Sequence, residues 1–155
     1  MTRPTVLFVC AKNGGKSPMA AGLMAQRAGD AVDVDSAGTR PGSAVNALSA
    51  EALLEVGVDM RDHTPRALTP EMVAAADVVV VLGREAQVEP VPGTRVEVWD
   101  TDEPSTRGIE GMERMRLVRD DIAARVDRLA GSSPATPAPS GSTVGDFGPT
   151  RRVGA

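Results

Sequence analysis

Cysteine, lysine, tyrosine and long apolar runs are scarce or absent in this 155-residue chain. The single cysteine, Cys10, excludes a disulfide within the chain. No apolar run approaches the ~20 residues of a membrane-spanning helix. The N-terminus lacks the ordered charged, apolar and small-residue regions of a secretory signal. We therefore expect a cytoplasmic protein that has no membrane anchor.

The charge balance argues against nucleic acid as a partner. Seventeen basic and 21 acidic residues give a net charge of −4, whereas nucleic-acid-binding domains carry a basic face that neutralises phosphates. Almost all of the basic residues are arginine, and the two lysines are Lys12 and Lys16. The only lysines of the chain therefore follow closely after its only cysteine.

The composition changes abruptly after residue 130. Residues 1–130 show the apolar patterning of one folded domain. Residues 131–155 are mostly Gly, Ser, Pro and Thr, with few large apolar side chains. Such a segment buries too little apolar surface to offset its ordering entropy. We expect a folded domain over 1–130 and a disordered tail over 131–155.

Alternating strand and helix patterns predict an α/β fold. Apolar runs predict strands over 5–9, 32–34, 78–82 and 95–98. Helical periodicity predicts helices over 17–28, 44–56, 70–76 and 109–129. The continuous apolar run at 78–82 is typical of a parallel strand that is buried on both faces. We expect a three-layer sandwich in which a four-stranded parallel sheet is covered by helices on both faces.

Cys10 lies where the first apolar strand ends in a glycine-rich turn. A lone cysteine is most often a small buried hydrophobe, but ligands bind at the carboxyl end of the strands in an open α/β sheet. Backbone N–H groups in such a turn and the N-terminus of the next helix favour a thiolate and bind a tetrahedral oxyanion. Gly14 and Gly15 allow the backbone to approach that anion closely. We expect Cys10 to act as a nucleophile on phosphate or on an anion of the same shape.

The sequence of this turn resembles a known phosphatase loop. Residues 10–17 spell C-x5-K-S, one residue away from the C-x5-R-[ST] loop of enzymes that form a cysteinyl-phosphate. The surrounding sequence is similar to the low-molecular-weight protein tyrosine phosphatase superfamily, which also contains arsenate reductases. Three later segments match that superfamily in the same order: S-A-G-T at 36–39, D-H-T-P-R at 62–66 and W-D-T-D-E-P at 99–104. The resemblance covers residues 5–130 and implies the fold of the superfamily.

The resemblance also implies roles for the residues of the loop. Cys10 would attack the central As or P atom, and Ser17 would donate its hydroxyl to the thiolate. The position of Ser17 at the start of a helix is equally typical of an N-cap. Asn13 is expected to hold a left-handed turn, and the sole histidine, His63, receives no catalytic role. The expected oxyanion-binding residues are Ala11, Lys12, Asn13, Gly14, Gly15, Lys16 and Ser17.

By the same resemblance, a carboxylic acid in the W-D-T-D-E-P segment at 99–104 would supply the proton for the leaving group. We call residues 99–104 the acidic segment. Glu103 precedes Pro104 at the position where the superfamily normally has the acidic Asp. By resemblance, Glu103 would protonate the departing oxygen. Asp102 is the alternative acid.

Two departures from the superfamily pattern argue against phosphotyrosine as the substrate. Lys16 replaces the arginine that clamps an oxyanion with two parallel N–H bonds, and a lysine offers only a point charge. Ser105 follows Pro104 where the phosphatase branch has an aromatic residue that stacks on the substrate phenol. We therefore expect weak phosphatase activity.

The single cysteine also separates this chain from part of the arsenate reductase branch. Members that use thioredoxin carry two more cysteines, so reduction in this chain would need an external thiol. Cys10, the G-G-K-S loop and the D-E-P segment resemble the arsenate–mycothiol transferases of actinobacteria. That resemblance implies mycothiol as co-substrate and mycoredoxin as the partner that completes the reduction to arsenite. It also implies a monomer with no metal and no tightly bound cofactor.

Two other functions are consistent with the same residues. A low-molecular-weight phosphatase acting on phosphomonoesters needs only Cys10, Ser17 and Glu103. A non-catalytic module that binds phosphate or arsenate is favoured by Lys16, whereas the intact Cys10 and the acidic segment oppose it.

Overall fold

The computed structural model describes residues 3–89 and 91–131. It contains one parallel sheet whose strand order is β2-β1-β3-β4. The strands are β1 (Thr5–Cys10), β2 (Asp33–Gly38), β3 (Val78–Leu82) and β4 (Arg95–Trp99). The α-helices are α1 (Lys16–Ala28), α2 (Ala47–Leu54), α3 (Pro70–Ala75) and α4 (Gly111–Gly131), with short 3₁₀ turns at Gly29–Ala31 and Pro104–Arg107.

The helices cover both faces of the sheet, because successive side chains of a strand point to opposite faces. On one face, Val6 and Phe8 of β1 join the buried residues of α1, α2 and α4 in one apolar cluster. On the other face, Leu7 and Val9 pack with Val73 of α3 in a second cluster. The predicted three-layer α/β sandwich with a four-stranded parallel sheet is therefore confirmed.

Several element boundaries differ from the predicted ones for local reasons. Strand β2 extends to Gly38 rather than ending at residue 34. Helix α2 begins at Ala47, because the Asn46 side chain caps it by accepting a hydrogen bond from the Ser49 amide at 2.9 Å. Helix α4 continues to Gly131, the first residue of the predicted tail, and residues 132–155 lie outside the described residues. In the described part of the chain, none of the helices has the length and apolar character needed to cross a membrane.

Glu55, just after α2, ties that helix to α4 through two arginines. Its carboxylate accepts hydrogen bonds from Arg116 Nη2 at 2.7 Å and from Arg119 Nη1 at 2.8 Å. These bonds, with Arg116 contributing most, lower the pKa of Glu55 from 4.5 to about 2. A carboxyl group whose pKa is lower in the folded state stabilises the fold above its unfolded pKa, and this contribution is lost as the pH falls towards the folded pKa.

We expect Glu55→Gln to lower the thermal unfolding midpoint near neutral pH by a few degrees at most, because the pair is exposed and screened by solvent. The difference from wild type should shrink as the pH falls below 4.5 and vanish near pH 2. Thermal unfolding followed by circular dichroism across that range measures the effect. The matched control is Glu89→Gln, at an exposed position outside α2 and α4. A stability difference of Glu55→Gln that persists at low pH would contradict the interpretation.

Candidate active site

Cys10 lies at the carboxyl edge of the sheet, as the last residue of β1. Strand β1 is central, between β2 and β3, and the chain turns from it through residues 11–15 into α1. Cys10 is 8% exposed, so it is almost completely buried at this edge of the sheet. Gly38 at the end of β2 leaves room for the turn, because a Cβ there would stand 2.7 Å from the Ala11 carbonyl oxygen and 2.9 Å from the Asn13 Cβ.

The carbonyl groups of residues 10–15 all accept hydrogen bonds from other parts of the fold. The donors, in order from the Cys10 carbonyl to the Gly15 carbonyl, are the amides of Thr39, Arg40 and Gly42, the His63 ring, and the amides of Asn46 and Met19, at 2.7 to 3.1 Å. The C=O and N–H groups of a peptide unit point in opposite directions, so a loop whose carbonyls are bound on the outside presents N–H groups on the inside. This arrangement suits an anion beside Cys10.

Asn13 holds the turn from within. It has φ 54°, the left-handed conformation predicted for it, and it is fully buried. Its Oδ1 accepts a hydrogen bond from the Arg66 amide at 3.0 Å, and an amide can only donate, so this contact fixes the orientation of the side chain. Its Nδ2 therefore faces Ser17 Oγ, to which it donates at 2.8 Å.

Ser17 lies between Asn13 and the thiol. Because its oxygen accepts from Asn13, its own proton is available to Cys10 Sγ, 2.9 Å away. The Asn13 amide also donates to Cys10 Sγ, at 3.2 Å. Two donors thus converge on the sulfur. The alternative prediction of an N-cap at Ser17 is wrong, because Gly15 is the N-cap of α1.

His63 supports the turn from the far side. Its Nε2 lies 3.0 Å from Asn13 Oδ1 and 3.1 Å from the Asn13 carbonyl oxygen. Both of these atoms are acceptors, so Nε2 carries a proton. The ring contacts the loop through Asn13 rather than through Cys10, which agrees with the absence of a catalytic role in the sequence prediction.

Glu103 is brought from the acidic segment to the loop. Its Oε1 pairs with Lys16 Nζ, and its Oε2 lies 3.9 Å from Arg114 Nη2 on α4. Arg114 was not singled out from the sequence, because it is one of five arginines along α4 and no motif marks it. Only the packing of α4 beside the acidic segment reveals it.

Asp102, the alternative acid, faces a different partner. Its two carboxylate oxygens accept from Arg107 Nη1 at 2.8 Å and Nη2 at 3.1 Å, and these bonds lower the pKa of Asp102. Arg84 pairs with Asp100 in the same way, at 3.0 and 2.6 Å, and lowers the pKa of Asp100. Of the two candidate acids, the structure places Glu103, not Asp102, against Lys16 of the loop.

One open cleft of about 1330 Å³ contains these groups. Its basic side chains are Lys12, Lys16, Arg40, Arg84, Arg107 and Arg114, and its acidic ones are Glu85, Asp100, Asp102 and Glu103. The basic groups outnumber the acidic ones in a protein whose net charge is −4, so the cleft attracts anions. Among residues 3–89 and 91–131, no group of three or more His, Cys, Asp or Glu side chains is placed to hold a metal ion.

Comparison with known proteins identifies the family. A model of the low molecular weight phosphotyrosine protein phosphatase family matches residues 5–135. The chain belongs to this family. The predicted resemblance of the sequence is thereby confirmed over nearly the whole of the described part of the chain.

Relatives within the family include proteins named arsenate reductases. The chain is 33% identical over 133 residues to arsenate reductase 1 of Staphylococcus epidermidis, which covers 84% of this chain and 98% of the relative. Among solved structures, a thioredoxin-dependent arsenate reductase of Corynebacterium glutamicum is 32% identical with a TM-score of 0.73. That match covers 86% of this chain but only 63% of the longer relative. An arsenate reductase in the phosphate binding state is 27% identical with a TM-score of 0.71, over 84% of this chain and 98% of the other.

Proposed function

We propose that this protein is an arsenate reductase that uses a thiol from outside its own chain. The observation that carries the proposal is Cys10 Sγ, held by Ser17 Oγ at 2.9 Å and the Asn13 amide at 3.2 Å inside a turn whose carbonyls are all bound elsewhere. This combines a nucleophile and an oxyanion site in one turn. The arsenate reductases among the relatives support arsenate as the oxyanion.

In the first step, the Cys10 thiolate attacks arsenic opposite a hydroxyl group of arsenate. The Sγ–As bond forms, the As–OH bond breaks, and the Glu103 carboxylate transfers a proton from solvent to the departing hydroxyl, which leaves as water. The N–H groups of the turn and Lys16 would hold the remaining oxygens. Glu103 contacts Lys16 of the turn whereas Asp102 pairs with Arg107, so position supports Glu103 in this role over Asp102.

In the second step, an external thiolate attacks the arsenic atom of the adduct. A new S–As bond forms, the Sγ–As bond breaks, and Cys10 leaves as a thiolate, so arsenic stays in the +5 state. A further thiol then attacks the sulfur of the released conjugate. The S–As bond breaks with its electron pair remaining on arsenic, which yields arsenite and a disulfide between the two thiols.

We propose mycothiol as the external thiol and mycoredoxin as the partner that attacks the conjugate. The support is Cys10 itself: the chain offers no second cysteine that could form a disulfide with it. The setting proposed is the cytoplasm, where low-molecular-weight thiols are kept reduced. We also propose that the enzyme works as a monomer.

The test is arsenate reduction by the purified protein with mycothiol and mycoredoxin, coupled to NADPH oxidation, beside an aryl-phosphate control. Oxidation that requires arsenate, mycothiol and Cys10, with little phosphate release, is the expected result. Phosphate release without any thiol would instead make the protein a phosphatase. No activity in either assay, together with measurable phosphate binding, would make it a non-catalytic binding module.

The phosphatase alternative is favoured by the family match itself, and Lys16 is the residue that separates the two activities. We expect Lys16→Arg to raise aryl-phosphate hydrolysis about tenfold, because a guanidinium clamps an oxyanion with two parallel bonds. Steady-state kinetics with an aryl phosphate measures the change. Arg128→Lys, an exposed position on α4, is the control for a lysine–arginine exchange. No gain in a folded Lys16→Arg protein would contradict the role given to Lys16.

A further inference from the structure

Arg114 stands at the active-site cleft with an unused hydrogen-bond donor. Its Nε is shielded from solvent and has no hydrogen-bond partner in the part of the chain that the structure describes. Buried polar groups are nearly always bonded, so an unpaired one requires an explanation. The carboxylate that its guanidinium approaches is that of Glu103, with Oε2 at 3.9 Å from Nη2. Closing that gap to the ~2.8 Å of a charge-assisted hydrogen bond needs a shift of about 1 Å.

Glu103 is free to make this shift through its side chain alone. Its backbone is fixed on both sides, because its carbonyl accepts from Thr106 Oγ1 at 2.8 Å and the amide of Asp102 donates to Asp121 Oδ2 at 2.9 Å. The side chain is 41% exposed and spans from Lys16 on one oxygen to Arg114 on the other. It can therefore move between the two cations while the segment stays in place.

An incoming oxyanion competes with Glu103 for Lys16. Lys16 belongs to the oxyanion turn, and its ammonium group is paired with Glu103. An arsenate or phosphate in the turn would bring a second negative charge to the same ammonium, and like charges repel. Glu103 then needs another cation, and Arg114 offers a planar fork with its Nε free.

We infer that Arg114 is a positioning residue that takes over Glu103 from Lys16 when an oxyanion binds. The inference rests on the proposed function and specifies how its acid is held. In this role Arg114 acts through Glu103. Lys16 is thereby released to the anion.

The test is a double-mutant cycle on the affinity for inorganic phosphate, measured by calorimetry with the full chain. We expect Arg114→Gln to weaken phosphate binding about tenfold, because Glu103 then has only Lys16 as a partner and retains it. In a Glu103→Gln background there is no carboxylate to hold, so the same Arg114→Gln change should alter the affinity by less than about twofold. Arg114→Lys keeps the charge without the fork and should recover part of the loss.

Arg128→Gln removes the same charge from the other end of α4, away from the cleft, and should leave phosphate affinity unchanged. Thermal unfolding of each variant verifies that it is folded. An equal loss of affinity in both backgrounds would show that Arg114 acts on the anion directly, and it would overturn the inference. No loss in either background would overturn it as well. Failure of the proposed function looks different: intact coupling in this cycle together with no arsenate-dependent thiol oxidation.

Discussion

Cys10→Ser is expected to abolish arsenate-dependent thiol oxidation, with a loss of at least ~10⁴-fold, because a serine hydroxyl at neutral pH is a far weaker nucleophile than a thiolate. The fold should change little. The smaller oxygen keeps the position of the sulfur and faces the same two partners, Ser17 Oγ and the Asn13 amide. Activity, unfolding temperature and phosphate affinity of the purified variant together measure the effect.

The phosphate affinity of Cys10→Ser is the control that separates chemistry from binding. The N–H groups of the turn do not depend on the sulfur, so the variant should still bind phosphate with an affinity within a few-fold of wild type. Loss of binding together with a large fall in unfolding temperature would show that Cys10 serves mainly as a buried core residue. Retained turnover would remove it from the reaction altogether.

Asn13→Asp is expected to lower activity by ~10²–10³-fold while preserving the shape of the turn. The carboxylate keeps an acceptor for the Arg66 amide, but it places a second acceptor where Asn13 Nδ2 donates to Ser17. Ser17 must then donate its proton to Asp rather than to Cys10, and a negative charge is added near the thiolate. Both changes disfavour the reactive form of the sulfur.

Two measurements distinguish this effect from simple loss of the fold. Alkylation of Cys10 by iodoacetamide at neutral pH should slow in Asn13→Asp, because only the thiolate reacts. Gln87→Glu, the same amide-to-carboxylate change at an exposed position, should leave both alkylation and turnover near wild type. An alkylation rate in Asn13→Asp equal to that of wild type would contradict the role given to the Ser17 proton.

Asn13→Ala, by contrast, should destabilise the fold by ~2–4 kcal/mol. The substitution leaves the buried partners of the Asn13 side chain without hydrogen bonds, and alanine is unfavourable at positive φ.

The parallel sheet and the succession of strands and helices along the chain could be predicted, because apolar side chains mark these elements directly. The run at 78–82 and the periodic residues of α4 carry strong signals of burial. The length of strand β2 was underestimated for the opposite reason. The residues of its second half, Ser36 to Gly38, have small or polar side chains, and they pair with β1 through backbone hydrogen bonds. Backbone hydrogen bonds do not depend on side-chain type, so the sequence does not reveal them.

The position of Cys10 and its turn could likewise be predicted, because one short stretch of sequence carries the whole motif. The contacts that complete the site could not. Asn13 meets His63 across 50 residues, and Lys16 meets Glu103 across 87 residues. Such pairs depend on how β1, α1 and the segment after β4 converge at one edge of the sheet. Arg114 is a further case, because its role follows from the side of α4 that faces the acidic segment.

The bonded carbonyls of residues 10–15 have a consequence for the cost of capturing an anion. Their partners come from the segment 39–46, from His63 and from α1, so the turn is shaped by the rest of the fold before any ligand arrives. A flexible loop would lose roughly 1–2 kcal/mol of backbone entropy for each residue ordered on binding. Here that ordering has already taken place during folding, so this entropy is not lost again when an anion binds. The entropy cost of shaping the anion-binding turn is therefore part of the free energy of folding rather than of the free energy of binding.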